Sequence, residues 1–209
     1  MTQIRQPIVT VAGHVDHGKT TILDSIRKTK IVETEAGGIT QKISFTKVPI
    51  ETIKKRLADK SKGLKLEIPG FLFIDTPGHA AFSHLRKRGG SLADLAILVI
   101  DINEGIMPQT KEVIELLKLS KIPFVVALNK IDNISGWRKQ SENLKESIEK
   151  QAVNIKNDFQ EKLFTLMASL HYYGFNAKLF YEITDFTKEL ALVPCSGKTE
   201  EGINELILM

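Results

Sequence analysis

The sequence predicts an α/β fold, a doubly wound, mostly parallel sheet with helices on both faces. Three observations predict it. Short apolar runs recur at Ile8–Ala12, Phe71–Ile74, Leu95–Ile100 and Phe124–Leu128, the mark of strands buried on both faces. Segments of helical period alternate with these runs, as a parallel sheet requires. The turns that follow the runs are rich in Gly, Asp, Asn and Lys, and such sheets bind ligands at the carboxyl ends of their strands. A chain of 209 residues with 42% hydrophobic residues is long and apolar enough for one such domain with a sizeable core.

The elements follow in order. Ile8–Ala12 (IVTVA) reads as the first strand, Gly13–Lys19 as a glycine-bearing loop and Thr20–Arg27 as a helix. Lys30–Thr40 has no clean period and carries the pair Gly37-Gly38, so it reads as a loop. Ile43–Ile50 is strand-like, and Glu51–Lys62 is charged and helical in period. Phe71–Ile74 is the next strand and ends at Asp75-Thr76-Pro77-Gly78. Between the strands Leu95–Ile100 and Phe124–Leu128, Pro108–Leu119 is an amphipathic helix whose Val113, Ile114, Leu116 and Leu117 suit packing on a sheet. A helical insertion at about 134–188 breaks the rhythm before the last strand, Ala191–Cys195. Its Phe159, Leu163, Leu166, Met167 and Leu170 recur at helical spacing and read as a core-facing stripe.

Composition narrows the function classes. With Cys195 as the single cysteine, no disulfide can form within the chain and a cysteine-based metal site is not expected. The five histidines show no metal-ligand pattern, and His14 and His17 read as loop residues around a phosphate site. No run approaches about 18 apolar residues, so no transmembrane helix is expected. Met1–Pro7 is short, polar and runs into a strand, unlike a signal or transit peptide, which favours the cytoplasm. The net charge of +4 is compatible with an RNA-rich partner, and equally with an ordinary solvated surface.

Five motifs carry chemistry. Gly13-His14-Val15-Asp16-His17-Gly18-Lys19-Thr20 fits the pattern G-x-x-x-x-G-K-[ST] between a strand and a helix. Its backbone N–H groups can wrap a β-phosphate, helped by the positive end of the helix. Val15, Asp16, His17, Gly18, Lys19, Thr20 and Thr21 form the expected nucleotide-binding set. Lys19 would reach the β- and γ-phosphates, and the Thr20 hydroxyl would ligate Mg²⁺. In Asp75-Thr76-Pro77-Gly78-His79, Asp75 at a strand end can hold Mg²⁺ through water. Gly78 lets the backbone approach the γ-phosphate, and His79 stands where it can touch an attacking water as the catalytic residue. Asn129-Lys130-Ile131-Asp132 follows the strand Phe124–Leu128. Guanine shows two adjacent donors that the single Asp132 carboxylate can accept, and adenine lacks that pair. The Lys130 stem can lie across the base, and Asn129 can tie this loop to the phosphate loop. Ser196-Gly197-Lys198 follows the last strand, where a small residue at 197 lets its N–H approach guanine O6. Thr40 in Gly37-Gly38-Ile39-Thr40-Gln41 can add a Mg²⁺ ligand while a γ-phosphate is present and release it after hydrolysis. Asp16 either caps local backbone amides or holds a monovalent cation, K⁺ or Na⁺, beside the phosphates with a carbonyl near Gly37 or Gly38.

GHVDHGKT, DTPGH and NKID together are similar to the P-loop translational GTPases as a group. AGGITQ (Ala36–Gln41), FIDTPGHAAF (Phe73–Phe82), LRKRGGSLADLAILVIDINEG (Leu85–Gly105), PQT (Pro108–Thr110) and NKIDNISGW (Asn129–Trp137) resemble the initiation factor 5B family, the archaeal and eukaryotic relatives of bacterial initiation factor 2. The likeness spans nearly the whole chain. It implies a single GTP-binding domain over 1–209, with the family's later domains absent because the chain stops at Met209 as its last helix begins. It implies a GTPase cycling between GTP and GDP, slow alone and stimulated by the ribosome. It implies that Val15 and Ile39 screen the attacking water from His79 until then. Through the full-length factor it implies both ribosomal subunits, initiator tRNA and another initiation factor as partners, with no membrane, no DNA and a monomeric domain. AGGITQ and LRKRGG argue against an elongation factor, His79 against a nucleotide-gated module that does not hydrolyse, and Asp132 against an ATP-using enzyme.

Overall fold

The computed structural model describes residues 4–27, 44–58, 67–75 and 93–209. These form a seven-stranded sheet in the order β2-β3-β1-β4-β5-β7-β6. The strands are β1 (Ile8–Gly13), β2 (Ser44–Pro49), β3 (Gly70–Asp75), β4 (Leu95–Asp101), β5 (Phe124–Asn129), β6 (Asn176–Leu179) and β7 (Glu189–Pro194). All neighbours are parallel except β2, which runs antiparallel to β3. The central strands are buried almost without interruption, whereas β2 alternates along its length as an edge strand with one solvated face does.

The helices are α1 (Lys19–Arg27), α2 (Ile50–Leu57), α3 (Pro108–Leu119), α4 (Leu144–Glu149), α5 (Val153–Tyr172) and α6 (Ile203–Leu208). From β1 the chain moves outward toward β3, and from β4 it moves the other way to β5. Right-handed crossovers therefore put α1 and α3 on opposite faces of the sheet. Helix α6 packs with both α1 and α2. On the other face, Lys118 Nζ of α3 donates to the Tyr173 carbonyl just past α5 at 2.8 Å. Helix α3 starts with Pro108 in its first turn, where the missing N–H costs nothing, and buries Thr110, Val113, Ile114 and Leu117.

The segment 134–188 departs from a purely helical expectation. Besides α4 and α5 it holds β6, which pairs parallel with β7 from Asn176↔Glu189 to Leu179↔Leu192, and a 3-10 turn at Phe180–Glu182. The expected stripe is there: α5 buries Phe159, Leu163, Leu166 and Leu170, and Met167 packs against the core beside them. Helix α2 ends at Leu57, and the expected continuation to Lys62 lies outside the described residues.

Candidate functional site

The sheet order places a crevice between β1 and β4, where the chain reverses its direction of travel, and the loops after β1, β4, β5 and β7 gather at its carboxyl end. The loop after β1 turns sharply. His17 N–H donates to the His14 carbonyl at 3.5 Å, and Ile22 N–H to the Gly18 carbonyl at 3.0 Å, opening α1. Asp16 is exposed with φ of 64°. Gly18 has φ of 87°, and a Cβ there would sit 2.3 Å from Asn129 Nδ2. That position therefore has to be glycine for the neighbouring loop to close on it.

Asn129 is the joint of the site. Its Nδ2 donates to the His17 carbonyl at 2.8 Å, and its Oδ1 accepts the Gly197 N–H at 3.0 Å. The loops after β1, β5 and β7 thus meet on one side chain that is 2% exposed. Lys130 takes a left-handed φ of 63° and sends Nζ to Asp101 Oδ2 at 2.9 Å. Asp132 lies half-buried in the 3-10 turn Ile131–Asn133. Ser196 is fully buried, and its Oγ accepts the Thr199 N–H at 3.0 Å, while Lys198 is exposed.

Lys19 and Thr20 start α1 and are both buried. Lys19 Nζ donates to the His14 carbonyl at 2.6 Å, within the loop it would serve. Burial pulls its ammonium below the usual lysine range, opposed by the Asp75 and Asp16 carboxylates. The Thr20 hydroxyl donates to Asp75 Oδ2 at 3.1 Å. A hydroxyl and a buried carboxylate side by side at the end of β3 are hard oxygen donors of the kind Mg²⁺ takes. Thr21 is half-buried on the same turn, and the Val15 N–H donates to Gln109 Oε1 of α3 at 3.3 Å. Thr40, Gly78 and His79, with Ile39 and the Gly37-Gly38 pair, lie outside the described residues.

Several side chains at the site make contacts that the sequence reading did not assign to them. Asp101 closes β4, and its Oδ1 accepts from Asn103 N–H at 2.8 Å, while its Oδ2 anchors Lys130. His17 is fully buried. Its Nδ1 lies 3.2 Å from the Asp101 backbone N and 3.4 Å from the Val99 carbonyl oxygen, and its Nε2 faces Glu104 Oε2 at 3.0 Å. Burial lowers the His17 pKa, against the opposing pull of the Val99 carbonyl and Glu104. Asp101 could have been suspected, since like Asp75 it is a carboxylate at a strand's carboxyl end. Glu104, Gln109 and Glu201 gave no such signal. Cys195 lies just past β7, which ends at Pro194 rather than at Cys195 as expected, and it is fully buried, with its thiol pushed up by that burial.

A phosphate-loop turn, a buried lysine and threonine at a helix start and a base-side loop tied to them by one asparagine define a P-loop nucleotide-binding domain. Residues 4–209 match the family described as "Elongation factor Tu GTP binding domain". The chain belongs to that family of GTP-binding domains, and its relatives are the archaeal translation initiation factors. It is 51% identical to a probable translation initiation factor IF-2 of Methanopyrus kandleri, over 99% of this chain and 35% of the relative. It is 53% identical to that of Sulfolobus acidocaldarius, over 98% and 35%. A crystal structure of GDP-bound aIF5B from Aeropyrum pernix superposes with a TM-score of 0.83 at 49% identity, over 98% of this chain and 35% of that one. A bacterial selenocysteine-specific elongation factor, at 23% identity and a TM-score of 0.60, shares the fold. The chain spans about a third of the length of the curated relatives it matches. Among the described residues, no helix is long and apolar enough to cross a membrane.

Proposed function

We propose that residues 1–209 act as a single GTP-binding domain that takes GTP or GDP with Mg²⁺ and hydrolyses GTP to GDP and phosphate. The observation that carries this reading is the Asn129 joint, which brings the phosphate loop, the NKID loop and the Ser196-Gly197-Lys198 loop together. In this reading the residues Val15–Thr21 cradle the phosphates and Lys19 turns from the His14 carbonyl to the β- and γ-phosphates. Asp132 accepts the two guanine donors, Lys130 covers the base while Asp101 holds its Nζ, and the Gly197 N–H divides between Asn129 and guanine O6. Thr20, Thr40 and, through water, Asp75 hold Mg²⁺, which would neutralise charge on the phosphates. Exposed Asp16 would face K⁺ or Na⁺ or cap local backbone amides.

Gly78 senses the γ-phosphate and His79 orients the attacking water once Val15 and Ile39 no longer screen it. Phosphoryl transfer depends mainly on positioning and charge stabilisation, so a domain without its activator turns over slowly, on the order of 10⁻⁴ to 10⁻² per second. The relatives' names support a role for the longer protein in translation initiation. There the partners would be both ribosomal subunits and initiator tRNA, with another initiation factor, in the cytoplasm and with neither membrane nor DNA, the domain itself being monomeric. The test is His79→Ala in that longer protein. GTP and GDP affinity should stay within about threefold, while ribosome-stimulated turnover falls by orders of magnitude. Stimulated hydrolysis at the wild-type rate would remove His79 from the mechanism.

A further inference from the structure

The segment 134–188 and the loop after β7 meet on one buried carboxylate. Glu201, 3% exposed, lies in the turn between β7 and α6. Its Oε2 accepts the indole N–H of Trp137 at 3.0 Å, and its Oε1 accepts the Ser147 hydroxyl of α4 at 2.6 Å. Both donors are held from behind. Ser147 Oγ accepts the Gln140 N–H at 3.0 Å, and the Trp137 ring leans on Phe159 of α5 with centroids 5.5 Å apart. On its other side, the Glu201 carbonyl accepts the Ser196 N–H at 2.9 Å and closes the turn that carries Gly197. The residue before Glu201 makes that turn costly for the backbone alone, because Glu200 takes a left-handed φ of 61°. A buried carboxylate persists only where its oxygens are hydrogen-bonded, and the side-chain donors to Glu201 come from the segment 134–188.

We infer that Glu201 is a positioning residue for guanine recognition, through which Trp137 and Ser147 hold the Ser196-Gly197 turn against Asn129 and the base. The segment 134–188 then has a task at the base end of the pocket. The inference rests on the nucleotide reading above. Adenine presents an amino group where guanine presents O6, so a fixed Gly197 N–H opposes it and a loose one does not. The residue therefore acts on selectivity rather than on phosphate binding.

The experiment is competition of GDP and ADP against a fluorescent GDP analogue, on wild-type protein and on Glu201→Ala, Glu201→Gln, Trp137→Phe and Ser147→Ala. Circular dichroism and thermal melting confirm that each is folded. Loss of two hydrogen bonds to a charged acceptor should lower the GDP-over-ADP preference about tenfold in Glu201→Ala. ADP affinity should hold or rise as the opposing Gly197 N–H loosens, whereas a general loosening of the fold would weaken both nucleotides together. Trp137→Phe, which keeps the ring on Phe159, and Ser147→Ala should each lower the preference about threefold. Glu201→Gln, which keeps an acceptor of the same shape, should restore most of it. A folded Glu201→Ala protein with the wild-type preference overturns the inference. If that variant does not fold, an unchanged preference in both Trp137→Phe and Ser147→Ala overturns it. Wild-type protein without a GDP preference overturns the nucleotide reading itself.

Discussion

At the residue scale, the site depends on backbone conformations that few residues adopt and on side chains that reach across long stretches of sequence. Gly202, the last residue of the loop after β7, shows the first dependence. It caps α6 at φ 76°, and a Cβ there would lie 2.1 Å from the Pro194 carbonyl oxygen, with no flexible side chain able to give way. Gly202→Ala should lower stability by about 2 kcal/mol or more, combining left-handed strain with the clash. The urea midpoint, at an unchanged slope, measures it, and an unchanged midpoint would mean that the turn can rearrange. Lys19, Thr20 and Asp132 could be singled out in the sequence because each belongs to a short motif within a single loop. Asp101, Glu104, Gln109 and Glu201 were not, because their partners are remote. The separations are 84 residues for the Asp101–His17 contact, 87 for Glu104–His17, 94 for Gln109–Val15 and 64 for Glu201–Trp137.

At the scale of elements, periodicity identified the buried strands and the stripe of α5, and it set α3 at the same bounds as the structure, Pro108–Leu119. It did not show β6. Asn176–Leu179 has only four residues and takes its strand conformation from pairing with β7 rather than from its own pattern. This edge carries an ion pair whose pH response can be worked out. Glu189 accepts from Lys178 Nζ across the β6–β7 pair and from the N–H groups of Thr184 and Asp185. Hydrogen bonding from Lys178 first, then from those amides, brings its pKa down from 4.5 to about 2. A carboxyl whose folded pKa is depressed contributes stability above its unfolded pKa and loses that contribution as the pH falls through the folded value. The wild-type advantage over Glu189→Gln should therefore be constant above about pH 5.5, shrink as the pH falls from about 4.5 toward 2, and vanish below that. Urea midpoints of the two proteins across this range measure it. An advantage independent of pH would show that the ion pair does not hold this edge.

At the scale of the whole molecule, the order β2-β3-β1-β4-β5-β7-β6 turns four separate loops into one site. The position of that site was legible beforehand, since four of the five motifs fell directly after a strand and parallel sheets bind ligands there. The link from the segment 134–188 to that site was not legible, because it runs through one buried carboxylate with no pattern of its own. The central claim is that the loops joined at Asn129 form a guanine nucleotide site read by Asp132. Titration of the purified domain with GDP, GTP and ATP in the presence of Mg²⁺ tests it most directly, with Asp132→Asn beside the wild type. Charged hydrogen bonds of this kind contribute roughly 1.5–3 kcal/mol each, so ATP should bind at least ~100-fold more weakly than GTP. Asp132→Asn should lose guanine affinity and gain affinity for xanthine nucleotides, whose altered base edge suits an amide. Equal affinity of the wild-type domain for ATP and GTP would contradict the account.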